Sequence, residues 1–277
     1  MLHAPELPEG WLGKVNALHR GAARVRGDWL LFADADVVHH PRALAAAIAA
    51  AEEEGRDLVA LLPRFEWDSL VEHGLPVALF IALVQFGSPR LEDPAFPDDG
   101  MGSGSFTLVR RTVYEQAGGH VPLKASVLDD IELGRLIKRA GGRVALRLAP
   151  GLIRLRMYRG NREAFWGLSK NIVASFGGRV PLALLAAGVA SLMLLAPFAA
   201  GAAGLVLGDG RLAATGLGVY LFQFGCLAAL KEWHRYRWHL LPAFPVFALS
   251  VTACVVAGGW RRSRHGVVAW RGRDVKL

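Results

Sequence analysis

Three stretches without a charged residue fill most of the C-terminal third of the chain. They run over 180–208, 212–230 and 240–260 and are 29, 19 and 21 residues long. A helix rises about 1.5 Å per residue, so crossing a hydrocarbon core of about 30 Å takes roughly 20 apolar residues. Each run is long enough, and three in succession exceed what the core helices of a soluble domain require. The expectation is a membrane-embedded region over 180–260, in a chain that is 53% hydrophobic as a whole. Cys226 and Cys254 both fall inside these runs and read as small buried residues, with no disulfide framework or cysteine metal site.

A net charge of +8 raises nucleic-acid binding as a reading. The positive residues crowd the apolar runs instead. Arg154, Arg156, Arg159, Arg162, Lys170 and Arg179 precede the first, and a tail with six Lys/Arg and one Asp follows the last. Basic residues beside spans mark the cytoplasmic face and attract anionic headgroups, so the partner expected is a membrane and not a nucleic acid. Three full crossings from a cytoplasmic domain would put that basic tail outside. Either the last run, with Pro242 and Pro245, dips in and returns, or the charge rule is broken; the charge pattern favours a cytoplasmic tail. Trp233, Trp238, Trp260 and Trp270 flank the runs as an interfacial belt would. The opening "MLHAPELPEGWLGK" lacks the apolar stretch of a secretion signal.

Ahead of the spans the pattern changes period. Residues 28–33 read as a short buried strand, Pro41 opens an alanine-rich helix stopped by Gly55, and 57–63 read as a second strand. Strand, helix, strand at this spacing predicts an α/β domain with a mostly parallel sheet. The apolar run 74–87 is too short to span, and an interfacial helix and a buried core helix both remain open for it. A Pro/Gly-rich loop follows over 88–105, then a strand at 105–111, an amphipathic helix over 128–142 with Leu133, Leu136 and Ile137 on one face, and a strand over 143–150.

The first strand ends in Asp34 and Asp36. Along an extended segment residues i and i+2 face the same way, so the two carboxylates can converge on one divalent cation such as Mg²⁺ or Mn²⁺. A solvated strand end is the simpler reading of D-x-D alone. His39 and His40 follow closely, and a turn suits them better than a place among metal ligands. Asp129 and Asp130 open a helix, where the dipole favours carboxylates; a helix cap suits Asp129 and leaves Asp130 for a general base. "GMGSGSFTLVRR" just upstream brings backbone close to a ligand. "RMYRGNREAFWGLSKN" combines cations and aromatics next to the first span, where phosphates or sugar rings can be gripped.

The ordered blocks "LPEGWLGKVNALHRGAARVRGDWLLFADAD", "GSGSFTLVRRTVYEQAGG", "LDDIELGRLIKRAGG" and "RMYRGNREAFWGLSKN" resemble family 2 glycosyltransferases. Together with the closing "WRGRDV" they look most like the membrane-anchored branch that glycosylates carotenoids, hopanoid-associated lipids and ceramides. The resemblance implies a GT-A (Rossmann-like) fold, a nucleotide-sugar donor, a lipid acceptor, a divalent cation and inversion at the anomeric carbon. It assigns Asp34 and Asp36 to the metal and the donor diphosphate, Lys14 to the donor and Asp130 to the general base. Gly102, Ser103 and Gly104, with Asp129, fall on the acceptor side, and Arg162 and Trp166 stand where relatives carry Q-x-x-R-W. That last departure argues against a processive polysaccharide synthase. Relatives also begin with two nucleotide-binding strands that have no match here, so a fragment, a misplaced start and a degenerate copy are all readings of the beginning.

The expected organisation is a partial GT-A domain over 1–160, a basic amphipathic segment over 161–179, a transmembrane region over 180–260 and a basic tail over 261–277. The expected setting is a multi-pass membrane protein with its catalytic domain in the cytoplasm. Two rivals stand beside it: an inactive membrane scaffold that keeps the fold, and a protein whose basic face binds anionic lipid without catalysis.

Overall fold

The computed structural model describes residues 6–69, 71–74, 90–229, 234–235, 242–265, 268–270 and 273–275. The apolar run 74–87 and the tryptophans Trp233 and Trp238 lie almost wholly outside the described residues. In chain order the elements are α1 (Gly13–Ala22), β1 (Trp29–Phe32), β2 (Val37–His39), α2 (Ala43–Glu53), β3 (Leu58–Leu62) and β4 (Arg64–Glu66). They continue with β5 (Thr107–Arg110), α3 (Arg111–Gln116), α4 (Asp129–Arg139), β6 (Val144–Leu148) and β7 (Ile153–Leu155). Then come α5 (Asn161–Ser175), α6 (Val180–Leu207), α7 (Gly210–Ala229), β8 (His234–Arg235), α8 (Phe244–His265), β9 (Val268–Trp270) and β10 (Arg273–Val275). The chain divides into two compact units, one of residues 1–64 and 84–155, the other of residues 65–83 and 156–277.

The first unit is built on a four-stranded sheet in the order β1-β5-β3-β6. β5 runs antiparallel to both neighbours, with Phe32 opposite Thr107 and Val59 opposite Leu108, and only β3 and β6 pair in parallel. The sheet is therefore mixed, against the mostly parallel one expected. The expected strand, helix, strand unit exists, and β1 and β3 do point the same way. The strand that returns from the 90–106 segment enters between them in the opposite direction. Local periodicity carries no information on which non-neighbouring strand will be inserted.

β3 is buried along its whole length, as a central strand must be. On one face, α2 lays Ala43, Ala47 and Ala51 onto Val59, Leu61, Phe106, Leu108 and Ala145. Alanine at every fourth position lets the helix approach the sheet closely and is also the best helix former. Fully burying Phe106 or Leu108 is worth on the order of 1.5–3 kcal/mol each. α2 ends at Gly55, whose φ of +62° is the left-handed conformation that a helix stop uses. α4 packs against β6 with Leu133 and Ile137 buried.

The 90–106 segment is tied down by side chains of α4, of β6 and of the turn between α2 and β3. The Lys138 ammonium donates to the carbonyls of Arg90 (2.7 Å) and Asp99 (3.0 Å), and Arg139 pairs with Asp98 at 2.7 Å. Arg147 bonds both Glu92 and Glu54, and Arg56 joins Glu92 at 2.6 Å. The bond from Arg147, opposed in part by burial, holds the Glu92 carboxyl below its usual range.

In the second unit α6, α7 and α8 are each long and apolar enough to cross a membrane. Gly208 ends α6 at φ +72°, and the Asp209 carboxylate accepts from the N–H groups of Arg211 and Leu212 (3.0 Å each), capping α7. A Cβ on Gly204 would overlap the backbone of Ala213, and one on Gly216 that of Gly201. α6 and α7 thus touch backbone to backbone, the close approach that small residues permit. Across α6 and α8, the Ser191 hydroxyl reaches Ala248 O (3.1 Å) and Thr252 Oγ1 (2.9 Å).

Candidate active site

The candidate site lies wholly within the first unit, where α1, the end of β1, the glycine loop before β5 and the first turn of α4 meet. Asp34 follows β1 by two residues. Its backbone N–H donates to Gly104 O at 2.7 Å, while the Gly104 N–H donates to Asp130 Oδ2 at 2.6 Å. The backbone of one residue, Gly104, thus bonds two aspartates that are 96 positions apart in sequence (130 minus 34). The approach requires glycine: a Cβ at 104 would sit 2.6 Å from Asp34 Oδ2 and 3.3 Å from Asp130 Oδ2. Gly102 lies against the Asp130 carbonyl, and Gly134 of α4 against the backbone of Met101 and Gly102, so loop and helix pack without side chains between them.

The loop conformation is set by its own hydroxyls. Ser103 N–H donates to Thr107 Oγ1 (2.8 Å), whose hydroxyl donates back to Ser103 O (2.9 Å). Ser103 and Ser105 hydroxyls lie 2.7 Å apart, and the Ser105 hydroxyl donates to Leu61 O in β3 at 3.0 Å. From β2, His39 Nε2–H donates to Ser105 O at 3.1 Å, so His39 supports the loop. His40 Nδ1 accepts from the Arg42 N–H before α2.

α1 supplies the cation of the site. Lys14 Nζ lies 3.1 Å from Asp34 Oδ1 and 3.2 Å from Asp129 Oδ2. Burial by itself lowers Lys14, but Asp129, Asp130 and Asp34 outweigh it and hold the ammonium above its ordinary range. Burial pushes Asp129 up to about 6; Lys14 opposes that, and Asp130 and Asp34 add to it. Asp129 is not the helix cap considered above. Leu128 occupies that position with no side-chain cap bond, and the Asp129 carboxylate turns to Lys14 instead.

Lys14, Asp34, Ser103, Gly104, Asp129 and Asp130 line one cleft, together with Leu18, Phe32, Ala33, Thr107, His120 and Leu133. His120 was not among the residues singled out in the sequence. Its ring is buried, bonds the Tyr114 hydroxyl through Nδ1 (2.7 Å) and meets Phe32 edge-on at 4.8 Å. Burial, with His19 and Lys14 adding, pushes it down to about 4, so it is neutral at neutral pH. Burial pushes Tyr114 up to about 12 against the bond to His120. The only local signal was a polar residue behind two glycines in "GGHVPL".

Asp36 is placed differently. The chain turns at 35–36, so the extended alternation that would aim Asp36 alongside Asp34 does not hold; Asp36 is exposed and is not among the cleft residues. Among the described residues no group of three or more His, Cys, Asp or Glu side chains gathers to hold a metal. Arg162 and Trp166 stand on α5 in the other unit, exposed, with the Arg261 guanidinium 5.2 Å from the Trp166 ring centroid.

The model of the family described as "Glycosyltransferase like family 2" matches residues 4–174, more than half of the chain. The chain belongs to that family, which implies a transferase with a nucleotide-sugar donor and an acceptor. No curated protein matches it.

Proposed function

We propose that this protein is a membrane-bound inverting glycosyltransferase that moves a sugar from a nucleotide-sugar donor to a lipid-type acceptor. The observation that carries the reading is Gly104, whose C=O accepts from the Asp34 backbone and whose N–H donates to the Asp130 carboxylate, both aspartates lining one cleft. Two carboxylates so placed divide the work: Asp34 faces the donor and Asp130 the acceptor hydroxyl. Asp130 Oδ2 is engaged by Gly104, which leaves Oδ1 to take the proton as the hydroxyl attacks the anomeric carbon. The new glycosidic bond forms as the bond to the nucleoside diphosphate breaks, and the single displacement inverts the centre. Lys14 supplies positive charge for the donor phosphates. Gly102, Ser103 and Gly104 shape the acceptor side without bulk, with Asp129 behind them.

Mg²⁺ or Mn²⁺ fits this set as an ion shared with the substrate. Asp34 reaches the cleft mouth with its side chain 39% exposed, and no protein cage of three ligands forms among the described residues. That suits a cation completing its shell from donor phosphates and water; when bound it offsets charge on the departing diphosphate. Asp36, exposed at the 35–36 turn, is not among the residues that line the cleft. Support for a lipid acceptor comes from the three helices long enough to cross a bilayer and from the exposed Trp166 and Arg162 on α5, ahead of them. The basic residues beside the spans favour a cytoplasmic catalytic domain.

The test is transfer of label from a panel of nucleotide sugars into solvent-extractable lipid by membranes carrying the full chain. Metal-dependent transfer, lost in Asp34→Ala and Asp130→Asn, supports the reading. Transfer that persists in both variants overturns the site. A folded, inserted protein that transfers nothing from any donor leaves the scaffold.

A further inference from the structure

Lys14 brings a positive charge of its own into the cleft. It touches Asp34 and Asp129 at 3.1 and 3.2 Å, with Asp130 close behind on α4. Lys14 stands in the first turn of α1, which carries no acidic residue, so its charge works against the helix dipole and does nothing for the helix. The carboxylates of other elements hold it there. Asp34 Oδ2 lies against Gly104, and Oδ1 is the oxygen that Lys14 already occupies. One ammonium thus stands between two carboxylates at contact distance, with a third lining the same cleft.

We propose that Lys14 is a tethered counter-ion that stands in the divalent cation's place at Asp34 in the donor-free protein and competes with it for that carboxylate. A free cation approaching Asp34 meets an ammonium at contact distance and must displace it. The donor-free cleft therefore loads metal poorly, and a bare ion is kept from the site until phosphates arrive to share it. This rests on the reading of Asp34 as the cation-binding carboxylate.

The test is binding of Mn²⁺ alone to the purified full chain, followed by the electron paramagnetic resonance signal of free Mn²⁺. Lys14→Met is expected to bind Mn²⁺ more tightly than wild type by up to about fivefold, the factor that matches one partly exposed ion pair. Lys14→Arg, which keeps the charge, is expected to stay near wild type, and Lys14→Gln serves as a second neutral variant should Lys14→Met not fold. Asp34→Ala separates the two ideas. If Asp34→Ala weakens Mn²⁺ binding while the neutral Lys14 variants bind as wild type or less tightly, the counter-ion role is overturned and the metal assignment stands. If Asp34→Ala binds Mn²⁺ as wild type does, the metal assignment fails and takes the inference with it.

Discussion

The two units use glycine for opposite ends. In the first, Gly102 and Gly134 let loop and α4 backbones press together, and at Gly104 what meets the missing Cβ is polar: Asp34 and Asp130, with Lys14 and Asp129 beside them in the cleft. In the second, Gly201, Gly204 and Gly216 let α6 and α7 press against each other, and what surrounds them is apolar. The same missing Cβ positions charge in one place and packs helices in the other. The proposed function concentrates where close approach serves a polar group, because such a group has a directional partner to lose. Helix packing in an apolar surrounding has only contact to lose.

The sharpest way to break this comparison is Asp130→Asn. It removes the proposed base and keeps the shape, and transfer should fall on the order of 10²–10⁴-fold with the melting temperature little changed. Transfer at the wild-type rate would deny the polar cluster its role. Gly104→Ala comes next. Its Cβ would meet Asp34 Oδ2 at 2.6 Å, so Asp34 must move and transfer should drop on the order of 100-fold, a misplacement effect read in kcat.

Acid stability sharpens the polar side of the comparison. The unfolded chain protonates His120 near 6.5 and the folded one only near about 4, so this histidine makes stability fall as pH drops through that window, by up to about 3 kcal/mol. Asp129 has the opposite sign. Its folded carboxyl holds a proton up to about 6 against 3.8 unfolded, which favours the fold at low pH and is lost as pH rises between those values. His120→Gln should therefore flatten or reverse the acid loss, and Asp129→Asn should steepen it, in melts followed from pH 7 to pH 4.

On the apolar side, Gly204→Val forces a side chain into the Ala213 backbone and should cost about 1–3 kcal/mol in detergent unfolding. Because the second unit's glycines bear on packing alone, mild helix variants should leave the rate per folded molecule intact. Ser191→Ala, which removes the hydroxyl between Ala248 O and Thr252, should cost only about 0.6 kcal/mol. A rate loss from Ser191→Ala as large as that from Gly104→Ala would end the distinction between the units.

Much of this was legible in one dimension. Charge-free runs of helical length, an alanine stripe ending in glycine, and a pair of aspartates opening an amphipathic helix are all local patterns. Four ordered blocks were enough to suggest the family that the comparison with family models then established over 4–174. The grouping of Lys14 with Asp129 was not legible, nor was His120 in the cleft wall, because residues 106 and more positions distant carry no shared periodicity. The turn at 35–36 was missed for a different reason. D-x-D was read as extended, and nothing in two aspartates says where a strand stops.

What the residues by themselves determined is a set of local elements: three stretches that become helices long enough for a bilayer, the alanine-rich helix stopped by Gly55, the amphipathic helix before Gly141, and the strands near 30, 60, 108 and 146. Those depend on contacts within one or two turns. Only the tertiary structure decided that β5 enters antiparallel between β1 and β3, that the Asp129 carboxylate goes to Lys14 rather than to its own helix, and that Gly104 joins Asp34 to Asp130 while Asp36 stays outside. Each of these is settled by a pairing between distant segments. Their energies are won only after the chain has closed loops of tens of residues, so neighbours in sequence cannot announce them.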